Sequence, residues 1–240
     1  MPAVILLVFV SGLCALAEEF DARLSIHTIV REDVFAGFLE NDMERLALGE
    51  KKIEALLLQR PQSRPDLLAW KAGVSIYRAV RAHEAKQPAD FARHYAAARE
   101  MFREAAASRS IGSAAVQGGT YATLADRLPE SERTASWTDA YDAFRVLYKE
   151  QEQRVDKFPL HIKGELLAGL AMSAQRTGRA EEAAQWTDRI LTSMPDTPYA
   201  ARATTWKNKP ELASRTGLAC QSCHEPGRLA ARQAALAQPR

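Results

Sequence analysis

The sequence predicts an all-α protein, and three observations lead to that fold class. Alanine, leucine, glutamate and arginine, all strong helix formers, are abundant along the 240 residues. Apolar residues recur every three or four positions, which is the spacing of one helix face, and the strict alternation of a half-buried strand is absent. Short turns separate these segments repeatedly, so we expect helical hairpins of the tetratricopeptide type, stacked as an α-solenoid.

Three apolar stripes open the predicted helical region. The first is expected to form one helix that ends at Pro61 and Pro65, and the second closes before Pro88. The third keeps the spacing i, i+4, i+7, i+11, i+14 without a miss. The stripes consist of Phe35, Leu39, Leu46, Ile53 and Leu57; of Leu67, Trp70, Val74, Tyr77 and Val80; and of Phe91, Tyr95, Ala98, Phe102 and Ala105.

Five more helices are predicted towards the C-terminus. The first of them is expected to be interrupted at Gly118 and Gly119, because glycine is a poor helix former. Pro159 ends the second, and Thr177-Gly178 divides the next two. The predicted ranges are 112–128, 131–156, 161–176, 179–194 and 198–206.

The most specific motif of the chain is C-x-x-C-H, formed by Cys220, Cys223 and His224. Two thiols at this spacing can each add to one vinyl group of a porphyrin, and the histidine that follows can ligate the iron. The remaining cysteine, Cys14, lies in a segment that we expect to be removed. The motif therefore predicts one covalently attached haem c, with Cys220 and Cys223 as the thioether residues and His224 as an axial ligand.

Two other interpretations of the motif fit the sequence less well than haem. A redox C-x-x-C pair normally opens a helix after a strand in a thioredoxin-like sheet, and no strand pattern surrounds this one. A structural zinc site needs a fourth ligand, and the sequence has neither a second C-x-x-C nor a pair of closely spaced histidines. Haem is therefore the favoured interpretation.

The N-terminus has the features of an export signal, which suits a haem attached on the far side of a membrane. Residues 2–17 carry no charged side chain, residues 4–10 are continuously apolar, and Ala15-Leu16-Ala17 has the form of a cleavage site. No basic residue precedes the run, which is shorter than the roughly 20 residues of a membrane span. We expect cleavage after Ala17 and a periplasmic protein without a transmembrane helix, associated with a membrane only through a partner. Retention of the segment as an anchor and lipidation at Cys14 are the alternatives.

The overall charge excludes some classes of function. The chain has 32 basic and 30 acidic residues, a net charge of +2, and no basic stripe with interleaved aromatics, which argues against nucleic-acid binding. No G-x-S-x-G, H-E-x-x-H or phosphate-binding loop occurs. A distal His–Arg pair for peroxide chemistry cannot be picked out either. The sequence favours an electron carrier or a subunit of a complex over an enzyme.

Four side chains are candidates for a second axial ligand. His161 begins a predicted helix after Pro159, Met172 and Met194 lie on the last helix pair, and Met43 lies on the first long helix. Each has a structural interpretation as well, because methionines on a core stripe commonly pack and a histidine can form a local hydrogen bond. Water or an open coordination position is a further alternative, and the sequence does not choose among them.

Basic residues are concentrated around the motif. From residue 202 onward the chain has seven Lys and Arg residues but only two acidic residues, Glu211 and Glu225. A haem carries two propionates, and arginine pairs with carboxylates through two parallel hydrogen bonds. Arg215 and Arg228 flank the motif and are the predicted propionate partners, although a solvated basic tail explains the same composition. A positive rim favours a redox partner with an acidic docking surface.

Residues 164–195 resemble a tetratricopeptide repeat. Ala171 and Ala183 occupy the two small positions at which paired helices cross, Gly178 occupies the turn, and Pro195 is the closing proline. Thr187 stands where the family usually has an aromatic residue, so the packing there is expected to differ. Earlier hairpins exceed the repeat length of about 34 residues and match only as helical pairs. The resemblance implies a concave face that binds a protein or peptide.

A second resemblance covers most of the chain. The segment FAGFL at residues 35–39, the segment LHIKGELL at residues 160–167 and the terminal C-x-x-C-H are similar to those of a set of uncharacterised bacterial repeat proteins. This resemblance supports the architecture and implies no particular activity.

These predictions combine into three segments. Residues 1–17 are expected to form the signal peptide, residues 18–207 the repeat domain and residues 208–240 the haem c attachment segment. Only 16 residues follow His224, so the repeats or a partner chain must supply most of the haem pocket. We expect a periplasmic monohaem c-type cytochrome that transfers electrons and docks a redox partner through its repeats. The alternative is a repeat adaptor or assembly factor in which the haem is structural or sensory, or the motif binds another metal.

Overall fold

The computed structural model describes residues 19–213, 215–218 and 227–238, and all regular elements in these ranges are helical. The predicted all-α class is therefore confirmed. Short 3-10 turns occur at Pro61–Ser63, Ala125–Arg127, Glu152–Lys157 and Pro210–Leu212. The α-helices of the described ranges are α1 Ile26–Glu40, α2 Met43–Gln59, α3 Arg64–Glu84, α4 Pro88–Ala107, α5 Ile111–Leu124, α6 Glu130–Gln151, α7 Leu160–Arg176, α8 Ala180–Ser193, α9 Pro198–Asn208 and α10 Arg228–Ala237.

Consecutive helices pack in pairs: α1 with α2, α3 with α4, α5 with α6, and α7 with α8. The first helices of neighbouring pairs also touch, α1 with α3, α3 with α5 and α5 with α7. The second helix of each pair contacts the first helix of the next pair. One continuous apolar core results, which extends from Leu24 to Leu218.

The second and third apolar stripes lie where the sequence predicts them. Every member of the stripe on α3 is buried. On α4, Ala98, Phe102 and Ala105 are buried, whereas Phe91 and Tyr95 are partly buried and stack on each other with ring centroids 5.3 Å apart. The 3.6-residue period thus identifies the buried faces of both helices.

The prediction that the first stripe forms one helix is wrong, because the chain reverses at Asn41 and Asp42. Asn41 adopts the left-handed conformation (φ +59°) and ends α1, and its Oδ1 accepts a hydrogen bond from the Tyr77 hydroxyl at 2.9 Å. Asp42 begins α2, since its Oδ1 accepts from the N–H groups of Glu44 and Arg45 at 3.1 and 3.0 Å. Asparagine tolerates the left-handed region and aspartate is a preferred N-cap, so the pair forms a helix stop followed by a start.

The predicted interruption at Gly118 and Gly119 is also wrong, and α5 is continuous through both residues. A Cβ atom added at Gly118 would lie 2.9 Å from the Phe144 ring. No atom lies within 4 Å of a Cβ added at Gly119. The absent side chain at Gly118 therefore permits close packing of α6 on α5 and does not break the helix.

A buried ion pair joins the two helices of the first hairpin. The Asp33 side chain on α1 is 6 % exposed, and its Oδ2 accepts a hydrogen bond from Lys52 Nζ of α2 at 2.7 Å. Arg45 Nε donates to the other carboxylate oxygen at 2.9 Å. Asp33 thus holds two cations of α2 against α1.

Candidate functional site

The residues of the C-x-x-C-H motif, Cys220, Cys223 and His224, lie outside the described residues, as do Cys14 and the predicted signal peptide. The structure describes the chain on both sides of the motif. Leu218 lies two residues before Cys220, and Gly227 lies three residues after His224. The candidate site is therefore defined by the contacts that these two positions make with the helical body.

The upstream anchor at Leu218 fixes the chain on α7 and α9. Leu218 is fully buried, and its N–H donates a hydrogen bond to Met172 Sδ at 3.2 Å. Its carbonyl oxygen accepts from Arg202 Nη1 at 3.2 Å, and Trp206 Nε1 donates to Thr216 Oγ1 at 2.8 Å. These hydrogen bonds and the apolar packing of Leu218 together position the backbone just before the first motif cysteine.

The downstream anchor at Gly227 fixes the chain on α1. The N–H groups of Gly227 and Leu229 donate to the two carboxylate oxygens of Glu32 at 2.8 and 3.1 Å. Glu32 thus caps the first turn of α10 from another helix, where a negative charge is favourable. Burial opposes ionisation of Glu32, but the two N–H groups and the Arg45 guanidinium outweigh burial and lower the pKa of its carboxyl below the ordinary value.

His161, a predicted axial ligand, lies in the first turn of α7. Its Nδ1 lies 3.2 Å from the Tyr199 hydroxyl, and that hydroxyl donates to Glu165 Oε1 at 2.7 Å. Since the single hydroxyl proton goes to Glu165, this network assigns the imidazole proton to Nδ1 and the lone pair to Nε2. Burial lowers the pKa of the imidazole; Glu165 acts in the opposite direction, and the charges of Arg228 and Arg31 lower the pKa further. A neutral imidazole is the form that ligates a metal.

A glycine positions Tyr199 beside His161. A Cβ added at Gly164 would lie 2.3 Å from the Tyr199 ring, so only glycine lets the ring cross α7 this closely. The ring is buried, whereas its hydroxyl reaches the partly exposed His161 and Glu165. Gly164 was predicted as the start of the repeat-like segment, and the structure assigns it this packing role.

The three candidate methionines occupy different surroundings. Met172 is buried on α7 and contacts the upstream anchor through its sulfur. Met194 is buried at the end of α8, where its carbonyl oxygen accepts from Thr197 Oγ1 at 2.7 Å. Met43 is the first residue of α2 and is 42 % exposed. Of the three, Met172 is the one that the structure joins to the residues flanking the motif.

The two predicted propionate partners flank the motif at the surface. Arg215 is exposed, and its backbone N–H donates to the Leu212 carbonyl oxygen at 2.9 Å. Arg228 is the first residue of α10, and its charge acts on His161. Arg31 of α1 acts on His161 as well. Sequence reasoning missed Glu32, Arg31 and Tyr199, because nothing local marks residues so far from the motif.

A cluster of His27, Asp66 and Ser110 contains the residue types of a hydrolytic triad, but its hydrogen bonds do not suit catalysis. Trp70 Nε1 donates to His27 Nδ1 at 2.9 Å, and His27 Nε2 lies 3.4 Å from Asp66 Oδ2. The Ser110 hydroxyl donates to the same carboxylate. Because serine and histidine both bind the aspartate, the imidazole does not activate the hydroxyl. The cluster ties α1, α3 and α5 together.

Among the described residues, no group of three or more His, Cys, Asp or Glu side chains is arranged to hold a metal ion. None of the described helices combines the length and apolar character needed to cross a membrane.

Replacing Glu32 by alanine is expected to release the first turn of α10 from α1. The variant loses the acceptors of Gly227 and Leu229, and a hydrogen bond to a charged group contributes about 1.5–3 kcal/mol. We expect hydrogen exchange of these two amides, measured by NMR, to accelerate about tenfold or more. The control Glu40→Ala, at the exposed end of α1, should leave it unchanged. Unaltered protection in Glu32→Ala would show that other contacts hold α10.

The same contact makes the docking of α10 depend on pH. Because docking lowers the pKa of Glu32, its contribution is complete above the ordinary glutamate pKa of about 4.3. The contribution is lost as the pH falls through the lower pKa of the docked carboxyl. Amide protection at Gly227 and Leu229 should decline on that acidification, and Glu32→Ala should lack this transition.

Comparisons with known proteins assign no family. No protein-family model matches the chain, and neither the curated proteins nor the solved structures give a significant match.

Proposed function

We propose that this chain is a periplasmic monohaem c-type cytochrome, an electron-transfer subunit whose helical repeats dock a redox partner. The observation that carries the proposal is the C-x-x-C-H motif formed by Cys220, Cys223 and His224. Both flanks of the motif are anchored on the helical body, at Leu218 and at Gly227. A cofactor attached between two fixed points would be held at a defined position on the protein.

The donor set of the motif fits a haem. Cys220 and Cys223 would form the thioether links, and His224 would supply an axial ligand. When bound, haem c supplies reversible one-electron exchange between Fe(III) and Fe(II). This chemistry needs no general acid or base, and the residues of the protein would orient the cofactor.

Two of the candidate ligands are linked to residues that flank the motif, since Leu218 donates to Met172 Sδ and the charge of Arg228 acts on His161. A neutral imidazole such as that of His161 is a common iron ligand, whereas Met172 Sδ accepts a hydrogen bond from Leu218 in the upstream anchor. We therefore favour His161 as the second axial ligand and assign Met172 to packing at the upstream anchor. Arg228 and Arg215 remain the proposed propionate partners.

The packing of successive helical hairpins supports a docking role. In the segment 164–195, Ala171 and Ala183 are buried where α7 and α8 pack, and Gly178 adopts φ +75° in the turn. Thr187, which replaces the usual aromatic, is buried and donates to the Ala183 carbonyl oxygen at 2.7 Å. Stacked hairpins of the tetratricopeptide type present an extended concave surface to proteins or peptides. With basic residues around the motif, the proposed redox partner has an acidic docking surface.

A second candidate function is a repeat adaptor or assembly factor with a structural or sensory haem. The observation that favours it lies in the first turn of α7, where Leu160 and Ile162 are 47 % and 50 % exposed. Exposed apolar side chains close together are typical of protein interaction sites. In this role the C-terminal segment would rest on α1 as a part of the fold.

The substitution pair Cys220→Ala and Cys223→Ala is expected to abolish covalent haem and to leave the helices intact. The reason is that the thiols form the two links, whereas the apolar core is built from other residues. The measurement is a reduced pyridine haemochrome spectrum of denatured, acid–acetone-extracted protein from a host with cytochrome c maturation machinery. Circular dichroism of the same preparations checks the helix content.

The control is Cys14→Ala, which removes a cysteine outside the motif and should retain covalent haem. Absence of covalent haem from the unmodified protein would refute the cytochrome proposal, and metal analysis would then identify a zinc-bound or bare motif. Where haem is present, its coordination separates the two candidates. A six-coordinate iron that does not bind carbon monoxide supports electron transfer, whereas an iron that binds carbon monoxide supports a sensory role.

A further inference from the structure

A cleft of about 340 Å³ lies on a different part of the molecule, between the end of α6 and the middle of α8. Tyr148 and Glu152 line it from the α6 side. Gln185, Trp186 and Arg189 line it from α8. Neither anchor of the C-x-x-C-H motif contributes a residue to this cleft, so the proposed haem function does not account for it.

Two aromatic rings form one corner of the cleft. The ring centroids of Tyr148 and Trp186 lie 4.8 Å apart, and their planes meet at 69°. Both side chains are only partly buried, although they pack against the core. Aromatic surfaces exposed in this way bind cationic groups, and the guanidinium of arginine in particular can stack on them.

One carboxylate of the cleft can pair with a cation beside these rings. Arg189 Nη2 donates to Asp156 Oδ2 at 2.6 Å, and Lys163 Nζ lies 3.6 Å from the other oxygen of Asp156, so these two cations share the Asp156 carboxylate. Glu152, in contrast, is exposed and pairs with no cation among the residues that the structure describes. A positively charged ligand that enters between the rings would therefore meet the carboxylate of Glu152.

Two N–H groups of the cleft residues lack an acceptor. Trp186 Nε1 and Arg189 Nε are buried, and neither has a hydrogen-bond partner among the described residues. Buried donors are nearly always paired in proteins, so an unpaired one points to a missing acceptor. A neutral carbonyl oxygen suits this role, because a carboxylate on the ligand would be repelled by the carboxylate of Glu152.

We propose that this cleft binds a peptide segment of a partner protein through an arginine side chain. The guanidinium stacks against Tyr148 and Trp186 and pairs with Glu152. A backbone carbonyl oxygen of the same segment accepts a hydrogen bond from Trp186 Nε1 after a small adjustment of the indole. The cleft thus adds a basic-peptide site to the protein, independent of the haem motif.

The test is an NMR titration of the full exported protein, labelled with ¹⁵N at tryptophan, with N-acetyl-arginine methylamide. The indole resonance of Trp186, assigned from Trp186→Phe, should shift with saturation. N-acetyl-citrulline methylamide has nearly the same shape without the charge and should bind at least about fivefold more weakly, because it lacks the pairing with Glu152.

Glu152→Gln should weaken binding of the arginine probe by a similar factor, whereas Glu150→Gln, at an exposed glutamate near the end of α6, should not. Both substitutions are at exposed positions, so the dispersion of the remaining spectrum should be retained. Equal binding of the arginine and citrulline probes, or a Trp186 resonance that does not move, would overturn the proposal. An equal effect of Glu150→Gln would overturn it as well, because general electrostatic attraction would then explain the binding.

Discussion

Asp33→Ala is expected to lower the free energy of unfolding by about 3–5 kcal/mol, the usual result of removing one partner of a buried ion pair. The substitution leaves Lys52 with a side chain only 10 % exposed and without the carboxylate that it contacts at 2.7 Å. Arg45 keeps a partner, because its Nη2 also lies 3.0 Å from Glu32. Urea unfolding followed by circular dichroism measures the change.

An exposed ion pair serves as the control, because its loss removes a charge interaction without leaving a buried charge unpaired. Asp188 pairs with Lys207 at 2.8 Å, and both side chains are more than half exposed. Asp188→Ala should therefore cost less than about 1 kcal/mol. The double variant Asp33→Leu/Lys52→Met should recover much of the loss, since replacing a buried pair by apolar residues is often neutral or stabilising. Equal losses in Asp33→Ala and Asp188→Ala would contradict the prediction.

Much of the fold could be predicted from the sequence because its signals are local. On α3, Leu67, Trp70 and Tyr77 follow the helical period and are all buried. Thr177-Gly178 and Pro159 correctly separate helices, because glycine at positive φ ends a helix and proline restricts the residue before it. Dense apolar periodicity and strong turn residues thus suffice for most helix boundaries.

The two wrong helix predictions concern residue types that occur both inside helices and at their ends. Asn41-Asp42 forms a reversal, although neither residue is as strong a breaker as proline, and the apolar stripe continues in phase on both sides of it. The sequence predicts a helix break at Gly118. In the structure the glycine leaves space for the ring of Phe144, which comes from the next helix. A single sequence does not show whether a glycine serves a turn or a close contact.

The candidate site, like the fold, could be predicted from the sequence only in part. The motif residues are adjacent in sequence and therefore visible in it, but their surroundings come from distant segments. Glu32 and Gly227 are separated by 195 positions, and Met172 and Leu218 by 46. Neither contact leaves a local pattern, so the sequence predicts the cofactor and not the residues that hold its segment in place. That His161 lies within reach of charges from α1 and α10 likewise needed the tertiary structure.

Gly169→Ala is expected to destabilise the protein by about 1–3 kcal/mol through overpacking. A Cβ added at Gly169 would lie 2.4 Å from the Phe144 ring on its Cε2 side. The opposite edge of the ring packs closely on α5, because a Cβ added at Gly118 would lie 2.9 Å from Phe144 Cε1. Phe144 is thus wedged between α5 and α7, and thermal unfolding of the variant measures the cost of displacing it.

Gly119→Ala is the matched control, since it makes the same substitution in α5 at a position with no neighbour within 4 Å. Alanine is the better helix former, so this variant should gain up to about 1 kcal/mol. Phe144→Leu introduced into Gly169→Ala should recover part of the loss, because the smaller side chain leaves space for the new methyl group. If Gly169→Ala and Gly119→Ala both stabilised the protein, helix propensity would dominate at both positions. The ring of Phe144 would then not be the contact that joins the third hairpin to the fourth.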